Sequence, residues 1–269
     1  MRDIVKNYLK TLGFDKQISS LDEITHLIKA HLKTFSFSSM TVLLKDEISL
    51  DINKIYEKIV INKRGGYCFE HNKLFFVVLS ELGFDVKSYM ARVVNNTNNI
   101  VPKTHRFTIL NFNDERYLID VGIGFRSPCV PVKIIDEFTP SHLGISYCVK
   151  TLEKNLFALA SLKDEEKFTI TNYELNNYNE ADYEMGHFYS HKHPSAVFVN
   201  NLVISSINDT EIRSLRNDNY IKIYENSQEE ILIDGFETFK KIVSNDFNMS
   251  FNEEELESIF NHYVKNKLL

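Results

Sequence analysis

Cysteine is scarce in this chain: three among 269 residues, an odd number and widely spaced. That excludes a disulfide framework and fits a reducing cytoplasm. No run of lysine or arginine is longer than a pair, and 31 basic residues stand against 37 acidic ones, a net charge of −6. A broad basic surface is therefore missing, which excludes nucleic acid and anionic membrane as partners. No apolar stretch reaches 18 residues, so no helix spans a membrane. The opening MRDIVKNYLK carries charges every few residues and no apolar h-region, and so reads as no signal peptide. Repeats and Gly/Ser/Pro-rich linkers are also missing, which argues against beads on a string.

What is present suits one well-packed globular chain, with 43% apolar and 25% charged residues. The first third reads helical. Ile4, Val5, Tyr8, Leu9 and Leu12 follow a 3.6 period that stops at Gly13. Ser20 with Glu23 three residues on is a capping box, opening a second helix whose face holds Leu21, Ile24, Leu27, Ile28 and Leu32. A third run, Leu74, Phe75, Val78, Leu79 and Leu82, ends at Gly83. Strand-like runs follow over 84–94, 105–112, 117–121, 145–152, 157–162 and 168–175. Beyond about Glu180 come a Tyr/His-rich segment, strands near 197–204 and 220–224, and a last helix capped by Asn252 with Glu255. The expected class is α+β: a helical part over 1–83, a β-rich part over 84–180 and an α/β part over 181–269.

The stretch RGGYCFEHN, residues 64–72, concentrates chemistry. Two glycines ahead of Cys68 allow a tight turn and close approach. The following helical period places Cys68 at a helix N-terminus, where free N–H groups and the dipole favour an anion. Nucleophile, metal ligand and small buried residue all stay open on this evidence, because a thiolate also needs a base and the base an orienting group. A two-residue turn at Asn113-Asp114 pairs position i with 227 − i, so Phe107 faces Asp120. His105, two residues from Phe107, then shares a face with Asp120 as a diagonal neighbour. The hairpin alone predicts a His105–Asp120 pair, and a carboxylate within so apolar a run needs such a partner. His187, His191 and His193 offer a chelating spacing, but Pro194 breaks the segment and no fourth donor completes it, so they read as packing or solvated residues. Cys129 and Cys148 read as structural, and His71 as a surface residue on the first helical turn.

These residues resemble the arylamine N-acetyltransferase family. RGGYCFEHN matches that family's R-G-G-x-C-x-E-x-N at Arg64, Gly65, Gly66, Cys68, Glu70 and Asn72, and HRFTIL and YLIDVGIG are similar to the segments around its histidine and aspartate. SHKHPSAVFVNNL resembles its later H-P-x-S-x-F stretch. The resemblance implies a helical domain, a β-barrel-like domain and an α/β domain with a cysteine-protease-like core. It implies a Cys68–His105–Asp120 triad that takes acetyl from acetyl-CoA as a thioester and passes it to an aromatic amine or hydrazine, without a metal. By position it puts Phe37, Val93, Thr104, Ile123 and Phe198 near the acceptor and Val101 and Pro102 near CoA. Arg64 and Glu70 are expected to hold the loop by an ion pair, in a cytoplasmic monomer or weak homo-oligomer. The chain departs from the family at Ser36-Phe37-Ser38-Ser39, where P-F-E-N is usual, and at Ile123, where phenylalanine is usual. A thiol hydrolase or transglutaminase-like enzyme shares the order of the triad, and a catalytically weak ligand-binding member fits the departures.

Overall fold

The computed structural model describes residues 2–265. Its helices are α1 (Arg2–Thr11), α2 (Leu21–Thr34), α3 (Met40–Leu43), α4 (Ile52–Tyr56), α5 (Cys68–Glu81), α6 (Glu180–Lys192), α7 (Val197–Asn200), α8 (Phe236–Lys241) and α9 (Glu253–Ile259). The predicted caps form: Ser20 and Glu23 close a reciprocal box on α2, as Asn252 and Glu255 do on α9. α5 buries Leu74, Phe75, Val78 and Leu79 in the cluster that also holds Ile24, Leu27 and Ile28 of α2. Burying each such side chain contributes about 1.5–3 kcal/mol, which seats α5 firmly.

Two antiparallel sheets make up the rest. Strands β1 (Phe37–Ser38), β2 (Asp85–Val93), β3 (His105–Phe112), β4 (Glu115–Ile119), β5 (Val132–Lys133), β6 (Thr139–His142), β7 (Ile145–Glu153), β8 (Leu156–Lys163), β9 (Glu166–Glu174), β10 (Val203–Ile207), β11 (Ile212–Arg216), β12 (Asn219–Ile223) and β13 (Gln228–Ile231) follow in chain order. The eight-stranded sheet runs β5-β4-β3-β2-β9-β8-β7-β6 and curls until β5 packs against β7, a nearly closed barrel. The five-stranded sheet runs β1-β10-β11-β12-β13, so a strand from the helical region forms its edge. Helices, barrel and second sheet together give the α+β class.

The β3–β4 hairpin has the predicted register: Phe112 pairs with Glu115 and Thr108 with Ile119. Asn113 and Asp114 both take positive φ, 50° and 61°, the turn geometry that matches strand twist. One segment left unassigned gains an element, and one reading needs correction. The Tyr/His-rich segment is α6, capped by Asn179 with Asp182; its buried face is Tyr183, Gly186, His187 and Ser190, at helical spacing but with polar side chains. The strand expected near 197–204 begins only at Val203, because Val197–Asn200 forms the short α7, whose Phe198 ring packs on Tyr67 and Phe37.

Candidate active site

The loop 64–67 is shaped before the helix begins. Gly65 sits at φ +65°, and a Cβ there would lie 2.8 Å from the Ser36 carbonyl oxygen, so both conformation and space require glycine. The Ser38 N–H donates to the Gly66 carbonyl at 2.6 Å, and Gly66 forms a parallel bridge with Phe37. Glu70 Oε2 accepts the Tyr67 N–H at 3.2 Å, capping α5. Cys68 is thereby fixed in the first turn, 4% exposed, with Sγ 3.4 Å from the Thr104 carbonyl oxygen.

β3 delivers His105 and the end of β4 delivers Asp120, 1% and 2% exposed. His105 Nε2 donates to Asp120 Oδ2 at 2.5 Å, the pair the hairpin register predicts. Burial by itself would lower the His105 pKa, but the Asp120 carboxylate and the Cys68 sulfur beside it outweigh burial and raise it to about 10. Asp120 Oδ1 accepts from Asn72 Nδ2 at 2.8 Å and from the Gly122 N–H at 2.9 Å. Asn72 also donates to the Arg106 carbonyl at 2.5 Å and accepts the Val121 N–H at 3.0 Å. It locks α5 to both strands of the hairpin. Its place in RGGYCFEHN, one helical turn past Cys68, was the sequence signal, but no role followed from it. A Cβ on Gly122 would meet Asn72 Nδ2 at 2.6 Å and Cys68 Cα at 2.9 Å, so glycine is needed there for close packing.

Cys68 and His105 open on a cleft of about 310 Å³. Phe37, Val93, Thr104, Ile123 and Phe198 all line it, and so do Val101 and Pro102. Sequence reasoning passed over Phe125, Arg126 and Tyr189, which also line it. Phe125 and Arg126 close the turn that follows DVGIG, and Tyr189 lies on α6, whose helical nature was not read.

Arg64 and Glu70 do not pair with each other. Arg64 binds Asp46 at 3.0 Å and Glu255 at 2.9 Å, with its guanidinium 4.4 Å from the Phe251 ring centroid, and so ties the loop to α9. Glu70, fully buried, binds Lys58 at 2.7 Å. His71 is not at the surface; it is 1% exposed. Its Nε2 donates to the Ser36 carbonyl at 3.2 Å, so Nδ1 accepts from His31 Nε2 at 2.8 Å, and His31 Nδ1 accepts from the Tyr8 hydroxyl at 2.7 Å. One carbonyl thus fixes every proton in a buried chain from α1 to Ser36, just ahead of β1. Burial holds His31 well below the ordinary histidine range and lowers His71 to about 4.

Of the histidines weighed as chelators, His187 donates Nε2–H to the Ile48 carbonyl at 3.1 Å and takes the Tyr67 hydroxyl on Nδ1, so both nitrogens serve the fold. Among the described residues no three His, Cys, Asp or Glu side chains converge as metal ligands. Cys129 and Cys148 are buried and unpaired, and burial pushes their thiols up to about 12 and about 11.

A buried cysteine at a helix start, a histidine beside it and an aspartate behind the histidine define the class of cysteine–histidine–aspartate enzymes. Within that class, the N-acetyltransferase family model matches residues 20–256. The arylamine N-acetyltransferase of Escherichia coli (strain K12) is 31% identical over 206 residues, 76% of this chain and 73% of that protein. The Salmonella typhimurium protein named arylamine N-acetyltransferase / N-hydroxyarylamine O-acetyltransferase is 29% identical over 188 residues, 70% of this chain and 66% of that one. A solved Salmonella typhimurium arylamine N-acetyltransferase superposes with a TM-score of 0.90 at 25% identity, covering 97% of this chain and 99% of its own. The Mycobacterium marinum arylamine N-acetyltransferase solved in complex with CoA shares the fold with a TM-score of 0.90 at 22% identity, over 97% and 99% of the two chains. The chain belongs to the arylamine N-acetyltransferase family and is an acetyltransferase.

Proposed function

We propose that Cys68, His105 and Asp120 carry an acetyl group from acetyl-CoA to the nitrogen of an arylamine, arylhydrazine or N-hydroxyarylamine in two half-reactions. The observation that carries this reading is the His105–Asp120 hydrogen bond at 2.5 Å, buried directly beside Cys68. In the first half-reaction the Cys68 sulfur attacks the thioester carbonyl carbon. A bond from Cys68 sulfur to the acetyl carbon forms, the bond to CoA sulfur breaks, and CoA leaves with the proton held by His105. The two thioesters are close in energy, so this step is nearly balanced. In the second, the amine nitrogen attacks the acetyl-cysteine, His105 takes the amine proton, and Cys68 is released as the amide forms.

Phe37, Val93, Thr104, Ile123 and Phe198 supply an apolar, partly aromatic wall for a flat aryl group. Val101 and Pro102, just before His105 and at the same cleft, are assigned to the CoA side. Arg64 and Glu70 support the site through their separate ion pairs. Three unpaired cysteines favour a cytoplasmic setting. Described residues include no helix long and apolar enough to cross a membrane.

Steady-state kinetics test the order of events. Varying acetyl-CoA at several fixed amine concentrations should give parallel double-reciprocal lines, with Cys68→Ser abolishing CoA release. Intersecting lines, or amide formation retained in Cys68→Ser, would overturn the covalent route.

A further inference from the structure

Phe37 stands in the wall of the cleft, yet β1, the strand that carries it, is two residues long. Peptide units are planar, so the direction of a side chain is set by the two planes that flank its Cα. Both planes beside Phe37 are held by the segment that carries Cys68. The plane after it is fixed where the Ser38 N–H donates to the Gly66 carbonyl at 2.6 Å. The plane before it is fixed where His71 Nε2–H donates to the Ser36 carbonyl at 3.2 Å. The rings of His71 and Phe37 also lie nearly parallel, 14° apart with centroids at 6.4 Å, and Phe198 of the same wall stands 5.6 Å from Phe37. Among the described residues His71 hydrogen-bonds no member of the triad. An imidazole donates from Nε2 only while the proton stays there. The His31 N–H aimed at Nδ1 keeps it there, and the Tyr8 hydroxyl holds His31 in turn; none of the three side chains is more than 1% exposed.

We propose that His71 is a positioning residue for the acceptor: by holding the Ser36 carbonyl it fixes the backbone of Phe37 and so registers the aryl wall of the cleft on the helix of Cys68. The proposal rests on the acyl-transfer reading of the Cys68 site and assigns the residue that sets its acceptor wall. An aromatic acceptor gains by lying against Phe37 and therefore depends on where that ring stands. A nucleophile without a ring does not. Attack on the acetyl carbon needs the amine nitrogen within about 3–3.5 Å, so a displaced wall slows the aromatic acceptor selectively. His31 and Tyr8 act behind His71, keeping its proton on the side of Ser36.

The test starts from acetyl-Cys68 formed with acetyl-CoA and compares its second-order deacetylation by phenylhydrazine and by hydrazine, which has the nucleophile without the ring. The quantity read is the ratio of the two rates. His71→Phe keeps a ring against Phe37 but no donor, and His71→Asn keeps an acceptor for His31 on an amide one methylene too short for Ser36. Each should lower the ratio by about tenfold. His71→Gln, whose longer amide serves both partners, should hold it within about twofold of wild type. Phe37→Leu should itself lower the ratio, and in that background His71→Phe should lower it little further, because its effect passes through Phe37. Equal losses for phenylhydrazine and hydrazine overturn the proposal, as does an unchanged ratio. So does a ratio that falls as far in His71→Gln as in His71→Phe, or one that falls tenfold more when His71→Phe is added to Phe37→Leu. If His71→Phe fails to fold, His71→Asn carries the same expectation and the same overturning result. Acetyl-Cys68 that forms normally while the ratio stays fixed overturns the role of His71 alone. Wild type that never acetylates Cys68 overturns the transfer reading and this role with it.

Discussion

At the scale of single residues the proposed transfer turns on His105, whose proton is held from two sides. Burial alone would lower its pKa; Asp120 and the Cys68 sulfur raise it to about 10. A raised base stays protonated through neutrality, so the rate of Cys68 acetylation should be flat there and decline as pH approaches about 10. Replacing Asp120 by Asn removes the raising charge, should move that decline towards neutral pH, and should slow acetylation by on the order of 10³–10⁴-fold. A stopped-flow pH profile of both proteins checks this, and coincident profiles would contradict it. Gly122→Ala tests packing at the same centre. Its Cβ would stand 2.9 Å from Cys68 Cα, so acetylation should fall roughly a hundredfold while far-UV circular dichroism stays native. The His105–Asp120 pair was legible before the structure because a hairpin register is arithmetic: a two-residue turn leaves one pairing, and that pairing set His105 beside Asp120. Asn72 was not, because its work is to bond three backbone and side-chain partners that only tertiary packing brings together. The Arg64–Glu70 pair was misread for the same reason. Each has a partner elsewhere: Arg64 in Asp46 and Glu255, Glu70 in Lys58 just past α4.

Between elements, the nucleophile helix is held by polar contacts as well as by its apolar face. The Tyr67 hydroxyl, at the cap of α5, donates to His187 of α6, and the two rings stack with centroids 5.7 Å apart. Tyr67→Phe leaves His187 Nδ1 buried without a donor, which costs about 1–3 kcal/mol. Urea unfolding should show that loss with an unchanged m-value; undiminished stability would mean that the contact does not join the helices. α6 escaped sequence reading because its inward face is tyrosine, glycine, histidine and serine, so helical spacing was present without an apolar stripe. α2 and α5 were read correctly because their inward faces are leucine, isoleucine, phenylalanine and valine at the same spacing. β1 is too short to show a period, and it enters the second sheet only through pairing with β10.

Taken whole, the molecule hides several neutral histidines, and its stability should record them. Burial lowers His71, His142 and His187 to about 4, and holds His31 well below the ordinary histidine range. In the unfolded chain each takes a proton near the ordinary histidine value of 6.5, while the folded state refuses it. Unfolded protein therefore binds more protons below 6.5, and stability should fall as pH drops from there towards about 4. His105 acts oppositely: raised to about 10, it contributes stability fully below 6.5 and loses it as pH rises through about 10. Thermal midpoints should thus peak near pH 6.5 and fall on both sides. A midpoint unchanged down to about 4 would contradict neutral burial of these rings. The class of fold was legible at this scale from the change of period along the chain. The closure of the barrel, and the capture of β1 by the C-terminal sheet, depend on contacts between segments far apart in sequence. The central claim, that Cys68 carries the acetyl group, is tested most directly by weighing the intact protein after acetyl-CoA and again after an aromatic amine. One acetyl group should appear on wild type, vanish with the amine, and never appear on Cys68→Ser. An adduct on Cys68→Ser, or one that survives the amine, would contradict it.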